Sequence, residues 1–353
     1  MLSGSSGRFE LTKPARIVIV IPALNEEGGI GAVLDEIQSV QGHGLSINAP
    51  SGPTFVVSLE CAVVVVDGGS RDKTPDIVKS HGATLLVERK RGYGNALMAG
   101  FGYAVTHLRP DVIVMIDGDG TYDAEDIPRL VHPILMDEAD MVLGNRFARM
   151  QPNTMTLTNR LGNRIISWLS RRFLGLNVSD TQSGLRALDA DVVGMLNPHT
   201  QGMPFATEML TDAHWAGFRI AEVPIVYRPR IGETKLNPLA DGLGIAGVVL
   251  RLVRDYRPLL FFGSVGLMLA FFGMVLGLEV VFEWALTGSI TRVPTALLTV
   301  LLIAISVQFL SLGLVADMVK DLRLRRTTEF ARILRLFLSE PLQEQRTRKS
   351  SRV

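Results

Sequence analysis

Residues 111–126 read Asp-Val-Ile-Val-Met-Ile-Asp-Gly-Asp-Gly-Thr-Tyr-Asp-Ala-Glu-Asp. The apolar run Val112 to Ile116 has the composition of a buried parallel strand and breaks abruptly at Asp117-Gly118-Asp119-Gly120. In open α/β sheets ligands bind at the carboxyl ends of strands. Two acids separated by one residue, with glycines that let the backbone come close, suit a hard divalent cation holding a diphosphate. Asp-x-Asp alone arises often by chance, so its surroundings must decide.

Working outward, the same pattern repeats. Ile17 to Pro22 is a β-branched run that breaks into Ala23-Leu24-Asn25-Glu26-Glu27, where Asn25 is placed to cap a helix running to about Val40 with both glutamates in its first turn. Residues 41–57, rich in Gly, Pro and Ser, read as a loop. Cys61 to Val66 is a second strand ending in Asp67-Gly68-Gly69-Ser70, with helical sequence from Pro75. Thr84 to Val87 is a third, leading into Arg89-Lys90-Arg91-Gly92-Tyr93-Gly94, whose bases and glycines before a helix suit an anion. Met141 to Leu143 is a fifth, ending in Gly144-Asn145-Arg146. The alternation predicts a doubly wound, mostly parallel sheet. Neither a complete G-x-G-x-x-G nor G-x-x-x-x-G-K-[ST] occurs, which disfavours a dinucleotide fold and a P-loop.

Farther on, Arg160 and Arg164 lie four residues apart on one helical face. Asp180-Thr181-Gln182-Ser183-Gly184-Leu185-Arg186 follows. After it come a helix candidate over 201–214, which contains Glu208, and a strand, Ile220 to Tyr227, ending in Arg228-Pro229-Arg230-Ile231-Gly232-Glu233-Thr234-Lys235. Charges nearly cancel over the 353 residues, 36 basic against 35 acidic, so nothing global suggests nucleic acid. The single cysteine, Cys61, excludes an intrachain disulfide and agrees with a reducing compartment.

The positive mean hydropathy, +0.26, comes largely from the region after residue 258. Residues 259–282 and 293–316 each reach the roughly 20 apolar residues that span a hydrocarbon layer. Arg251, Arg254 and Arg257 precede the first, and Lys320, Arg323, Arg325 and Arg326 follow the second, so the positive-inside rule places both ends in the cytosol. The first 15 residues are polar and carry no secretory h-region. The expected organisation is a polar tail over 1–15, a catalytic domain over 16–238, an interfacial amphipathic helix over 239–257, a membrane hairpin over 258–317 and a basic cytosolic tail over 318–353. Gly263, Gly266, Gly273 and Gly277 suit either self-association through small residues, giving a homo-oligomer, or contact with lipid.

With these residues in view, the chain resembles the inverting GT-A glycosyltransferases of family 2, and within them the polyprenyl-phosphate sugar synthases of the dolichyl-phosphate mannosyl and glucosyl type. The match covers about 16–236. Ile21-Pro22-Ala23-Leu24-Asn25-Glu26 resembles the family's P-x-x-N-E, Val66 to Ser70 its V-D-D-x-S, Asp117 to Asp119 its D-x-D and Gly144 to Arg146 its G-S-R. Asp180 to Gly184 resembles its D-x-x-S-G and Arg230 to Lys235 its R-x-G-E-S-K. The resemblance implies a GT-A fold, a metal-dependent transfer from a nucleotide-diphosphate sugar to a polyprenyl or dolichyl phosphate, and a cell-membrane or ER-type multi-pass location with the catalytic domain cytosolic. It implies that Pro22, Ala23, Asn25, Glu26, Asp67, Arg91, Gly92, Asp117 and Gly118 hold the nucleotide sugar. Asp119 with Asp117 would hold Mg²⁺ or Mn²⁺. Arg146, Arg160, Arg164, Ser183, Arg228, Arg230 and Lys235 would meet the lipid phosphate, and Asp117, Asp119, Arg146 and Arg230 would carry catalysis.

Departures bear on the donor. Thr121 stands where mannosyl members often have Gln, Gly68 follows Asp67 in place of a second Asp, Arg164 stands where relatives carry Ser, and Thr234 replaces Ser. They tilt the reading to a UDP-sugar over GDP-mannose. Two other readings compete: a processive glycan synthase, disfavoured because no Q-x-x-R-W occurs, and a catalytically silent nucleotide-sugar-binding membrane scaffold, disfavoured by the intact acids.

Overall fold

The computed structural model describes residues 9–10, 14–42, 44–48, 54–90, 92–151, 154–155, 157–196, 202, 204–231 and 238–350. They fall into two units, 1–248 and 249–353.

In the first unit the strands are β1 (Phe9–Glu10), β2 (Ala15–Ala23), β3 (Gly44–Asn48), β4 (Thr54–Asp67), β5 (Thr84–Val87), β6 (Val112–Met115), β7 (Met141–Met150), β8 (Arg186–Asp189) and β9 (Ile220–Tyr227). Between them run α1 (Ile30–Val40), α2 (Thr74–Ser80), α3 (Tyr93–Tyr103), α4 (Ile127–Leu135), α5 (Leu157–Leu169), α6 (Ala190–Met195) and α7 (Phe205–Trp215). One sheet runs in the order β1-β4-β2-β6-β8-β7-β9, with β3 and β5 also on β4. β2 lies at its centre, parallel to both β4 and β6. The two faces of β2 bury different partners. Ile17, Ile19 and Ile21 join the core that contains Ile30, Val33 and Ile37 of α1 and Leu130 and Val131 of α4. On the other face, α3 approaches Val20 and Val66 at Gly100. A strand covered on both sides needs a continuous apolar run, which is what the sequence supplies.

Two local expectations change. The segment over 41–57 is not all loop: β3 pairs antiparallel with β4, Leu45 opposite Val57, and both side chains are buried. Cross-strand apolar pairing outweighs the Gly and Pro content there. The tail over 1–15 contributes β1, parallel to β4, and the beginning of β2. The mostly parallel sheet holds, with β3 and β8 as its antiparallel strands; β8, supplied by the stretch after Asp180, runs antiparallel to both β6 and β7.

In the second unit, reached through α8 (Pro238–Tyr256), α9 (Pro258–Thr287) and α10 (Val293–Ser350) form a helical hairpin. Residues 258–287 and 293–322 are each long and apolar enough to cross a membrane. At 1.5 Å per residue, 30 residues reach about 45 Å, more than the roughly 30 Å hydrocarbon thickness. The glycines expected to join two copies or to meet lipid are mostly spent inside the hairpin. A Cβ at Gly266 would lie 3.0 Å from Ser306 O, at Gly273 3.1 Å from Ile303 Cγ1, and at Gly277 3.0 Å from Thr299 Cγ2. Gly263 is buried too, its backbone N 3.6 Å from where a Cβ at Gly313 would stand. Close approach of helix backbones within one chain accounts for these small residues.

Candidate active site

The rim of the sheet is assembled from loops after β2, β4, β6 and β9. The first two are laced together: Ser70 Oγ accepts from Asn25 N at 2.8 Å, Asn25 Oδ1 from Arg71 N at 2.7 Å and Thr74 Oγ1 from Glu26 N at 2.8 Å. This changes the expected role of Asn25. It does not cap a helix; it takes a left-handed conformation, φ 50°, and α1 begins only at Ile30 without an acid in its first turn. Asn tolerates that region better than most residues, and its amide gains a partner across the loops that a cap would have supplied locally. Asp67 is buried and accepts from Ser70 N at 3.1 Å and Gly69 N at 3.3 Å, so it shapes its own turn. Ala23 O accepts from Gly68 N at 2.9 Å. Pro22 sits beside Val66 in the ladder. Gly92 enters α3 with φ 131°, and Arg91 lies outside the described residues.

The two acids at the end of β6 meet different surroundings. Tyr93 donates its hydroxyl to Asp117 Oδ1 at 2.9 Å, and Gly184 lies so close that a Cβ there would come within 2.2 Å of Asp117 Oδ2. Any side chain at 184 would displace the Asp117 carboxylate from this position. Burial first, and then the Asp119 carboxylate, push Asp117 up to about 7. Asp119 is buried, and its Oδ1 accepts from Thr121 N at 3.1 Å and Thr121 Oγ1 at 2.6 Å. Thr121, the position that departs from the mannosyl pattern, thus fixes the rotamer of this carboxylate. Arg230 bridges the cleft, with Nη2 2.7 Å from Glu26 Oε1 and Nη1 3.2 Å from Asp119 Oδ2. Its segment is zipped to the acidic loop by Arg228 N to Thr121 O at 2.8 Å and Ile231 N to Asp119 O at 3.1 Å.

The donor set fits a divalent cation of a particular kind. Among the described residues no group of three His, Cys, Asp or Glu side chains could hold a metal alone. Two neighbouring carboxylates, one already balanced by a guanidinium, suit a hard cation that takes its other ligands from phosphate oxygens and water, as Mg²⁺ and Mn²⁺ both do.

The other expected phosphate ligands scatter. Arg146 is buried and commits its fork to Asp180, with Nε to Oδ2 at 2.7 Å and Nη2 to Oδ1 at 2.8 Å, while its guanidinium stands 5.4 Å from the Tyr227 ring centroid. Arg228 pairs with Glu36 at 2.5 Å and with Asp123. Ser183 is fully buried and turned to Leu185 O at 3.5 Å. Arg160 is half-buried, with no hydrogen-bond partner at Nε, and Arg164 is exposed. Lys235 lies outside the described residues. The first three therefore hold loops in place; of the described set Arg230 alone forms an ion pair with Asp119, while the charges of Arg146 and Arg230 both act on Asp117.

One site element escaped the motif reading. Arg186 is completely buried and spends its donors on backbone: Nε to Ser183 O at 2.9 Å, Nη2 to Thr181 O at 2.8 Å and Nη1 to Ala206 O at 2.7 Å. It fastens the loop that ends at Gly184 to the start of α7. Tyr122 completes the clamp, its hydroxyl accepting from Gly184 N at 2.6 Å. An arginine directly before the apolar pair Ala187-Leu188 is the only local mark it leaves in the sequence.

Comparisons with known proteins agree with this architecture. Residues 18–194 match the Glycosyl transferase family 2 model. Glycosyltransferase AglJ of Haloferax volcanii is 34% identical over 74% of this chain and 85% of its own length. The dolichyl-phosphate hexose transferase of the same organism is 32% identical over 68% of this chain and 95% of its own. Among solved structures, glucosyl-3-phosphoglycerate synthase from Mycobacterium tuberculosis in complex with Mn²⁺, UDP-glucose and phosphoglyceric acid superposes with a TM-score of 0.52 at 23% identity. It covers 68% of this chain and 80% of that one, a likeness of fold. Family match, relatives and sheet topology converge: the chain belongs to the family 2 glycosyltransferases and has their GT-A fold.

Proposed function

We propose that the chain transfers a hexose-type sugar from a nucleotide diphosphate, UDP in preference to GDP, to a polyprenyl phosphate of the dolichyl class, with inversion at the anomeric carbon. The observation that carries the reading is the rim cluster Glu26, Asp117, Asp119 and Arg230, three acids and a tethered cation at the carboxyl ends of β2 and β6 and just past β9. Relatives named for dolichyl phosphate supply the acceptor class. The two apolar helices suit a lipid acceptor, and the basic residues flanking them favour a cytosolic catalytic unit in a multi-pass membrane protein.

The chemistry is a single displacement. An acceptor phosphate oxygen forms a bond to the anomeric carbon as the bond to the donor diphosphate breaks, and the nucleoside diphosphate leaves with the electron pair. The acceptor is already anionic at neutral pH, so no strong general base is required, and positioning with charge stabilisation carries the rate. A divalent cation on Asp119 and Asp117 would neutralise the departing diphosphate. Thr121 orients the Asp119 carboxylate for that duty. The 23–27 and 67–70 loops, with Asp67 and Glu26 between them, offer carboxylate acceptors to base or ribose hydroxyl groups. Arg230, with Arg160, Arg164 and Lys235, is assigned to the acceptor phosphate, for which guanidinium groups give fork geometry. Arg146, Arg228 and Ser183 support the loops.

Purified chain with Mg²⁺ or Mn²⁺, a panel of radiolabelled nucleotide sugars and dolichyl phosphate should yield a labelled, organic-extractable product. Asp119→Ala should lower its rate by about 10³-fold, the scale of losing a main electrostatic contact. Absence of product with every common donor would overturn the reading.

A further inference from the structure

Two arginines just past β9 reach back to one stretch of chain. Arg230 meets Glu26 in the loop that leads into α1, and Arg228 meets Glu36 on α1 itself. Glu36 grips a second element with its other oxygen: Oε1 accepts from Arg228 Nη1 at 2.5 Å and Oε2 from Ala124 N at 3.2 Å. Ala124 opens the single helical turn 124–126 beyond the acidic loop. One carboxylate therefore ties α1 both to the chain after Asp119 and to the chain after β9.

Those two segments lie side by side as a short antiparallel ribbon. Asp126 Oδ2 accepts from Val226 N at 2.7 Å, Tyr122 bridges to Tyr227, Thr121 O accepts from Arg228 N at 2.8 Å and Asp119 O from Ile231 N at 3.1 Å. Thr121, whose carbonyl receives the Arg228 N–H, also donates its hydroxyl to Asp119 Oδ1 at 2.6 Å. A continuous line of contacts thus runs from Glu36 through Arg228 and Thr121 to the Asp119 carboxylate. A segment tied at one point swings about it, and a second tie removes that freedom. Glu26 on Arg230 is the first tie; Glu36 on Arg228 is the second. Glu36 and Arg228 are each 31% exposed, and ion pairs that open to water add little to stability. What the pair supplies is a fixed position.

We infer that Glu36 is a positioning residue for the metal and nucleotide site: through Arg228 and Ala124 it sets where the Asp119 carboxylate and the Arg230 guanidinium stand relative to Glu26, without touching either ligand. The inference rests on the function proposed above, in which Asp119 holds the cation of a nucleotide diphosphate. With Glu36 neutral, Arg228 keeps Asp123 but loses its tie to α1. Asp119 and Arg230 then move together against Glu26, and the site binds the metal and diphosphate less tightly while the core is unaffected.

The test titrates Mn²⁺ with UDP into the full chain in detergent by calorimetry, with no sugar and no acceptor, so that binding is read without turnover. Glu36→Gln removes the charge and leaves an amide oxygen for Ala124 N. Asp137→Asn, which breaks an ion pair to Arg219 in the turn before β7, is the control for a lost ion pair remote from the rim. The expected result is a Kd raised about tenfold by Glu36→Gln, the scale of coupling within one network, and within about twofold of wild type in Asp137→Asn. Arg228→Gln should weaken binding comparably, and the double variant should be no weaker than Arg228→Gln alone. An unchanged Kd in Glu36→Gln would overturn the inference, as would equal losses in Glu36→Gln and Asp137→Asn or a double variant whose losses multiply. A wild-type chain that binds no Mn²⁺ and UDP would overturn the proposed function itself, and the inference with it.

Discussion

Asp117 and Asp119 are one residue apart and occupy different electrostatic worlds, and the difference has a measurable sign. Burial, reinforced by Asp119, raises Asp117 from 3.8 to about 7. The folded chain therefore binds a proton there more tightly than the unfolded chain does. Between about pH 4 and pH 7 the metal-free protein should lose stability as pH rises, with the Asp117 contribution fully present below that window and gone above it. Asp117→Asn should flatten this part of the profile when thermal midpoints of the two proteins are compared from pH 4 to 8. An unchanged slope in the variant would locate the titration elsewhere. The acids themselves were legible from the sequence because strand, acid and glycine are local features. The partners of the basic residues were not. Arg146 finds Asp180 at a separation of 34 residues and Arg228 finds Glu36 at 192, so cations that looked available along the chain are paired in space.

At the scale of elements, the parallel strands and the rim loops followed from apolar runs ending in polar turns. β8 did not, because its first residue is a fully buried arginine and a polar side chain argues against a core strand until its three carbonyl partners are known. Those partners come from the 181–183 loop and from Ala206, which no periodicity links. Arg186→Met keeps the length and removes every donor, so three buried carbonyls each lose a hydrogen bond. It should destabilise the first unit by about 3 kcal/mol or more and loosen the loop against Asp117. Chemical denaturation monitored on the purified chain gives the magnitude. Hydrogen exchange over 181–184 shows whether the loop is where the loss falls.

For the whole molecule, two units carry two kinds of packing. The first has a core of Ile and Val around a sheet; the second brings two helix backbones together through glycine. The sequence showed the two long apolar helices clearly, and it left open which surface the glycines serve. A glycine pattern has the same spacing whether it faces a neighbour in the chain or another molecule, and only the positions of Ser306, Ile303 and Thr299 decide. Gly266→Val puts branched carbon where 3.0 Å separates a Cβ from Ser306 O. It should open the hairpin and lower its stability in detergent by about 1–3 kcal/mol, read as a lower thermal midpoint. If the midpoint stays and only the oligomer distribution shifts, the glycines act between chains.

Arg230 gives the rim an internal counterion. Before any ligand arrives, Asp119 and Glu26 already share a positive charge anchored to the end of β9. A metal ion held by Asp119 would compete with that guanidinium for the carboxylate, so loading the site would be an ion exchange with the protein's own side chain, one that frees half of the Arg230 fork while Glu26 keeps the other half in place.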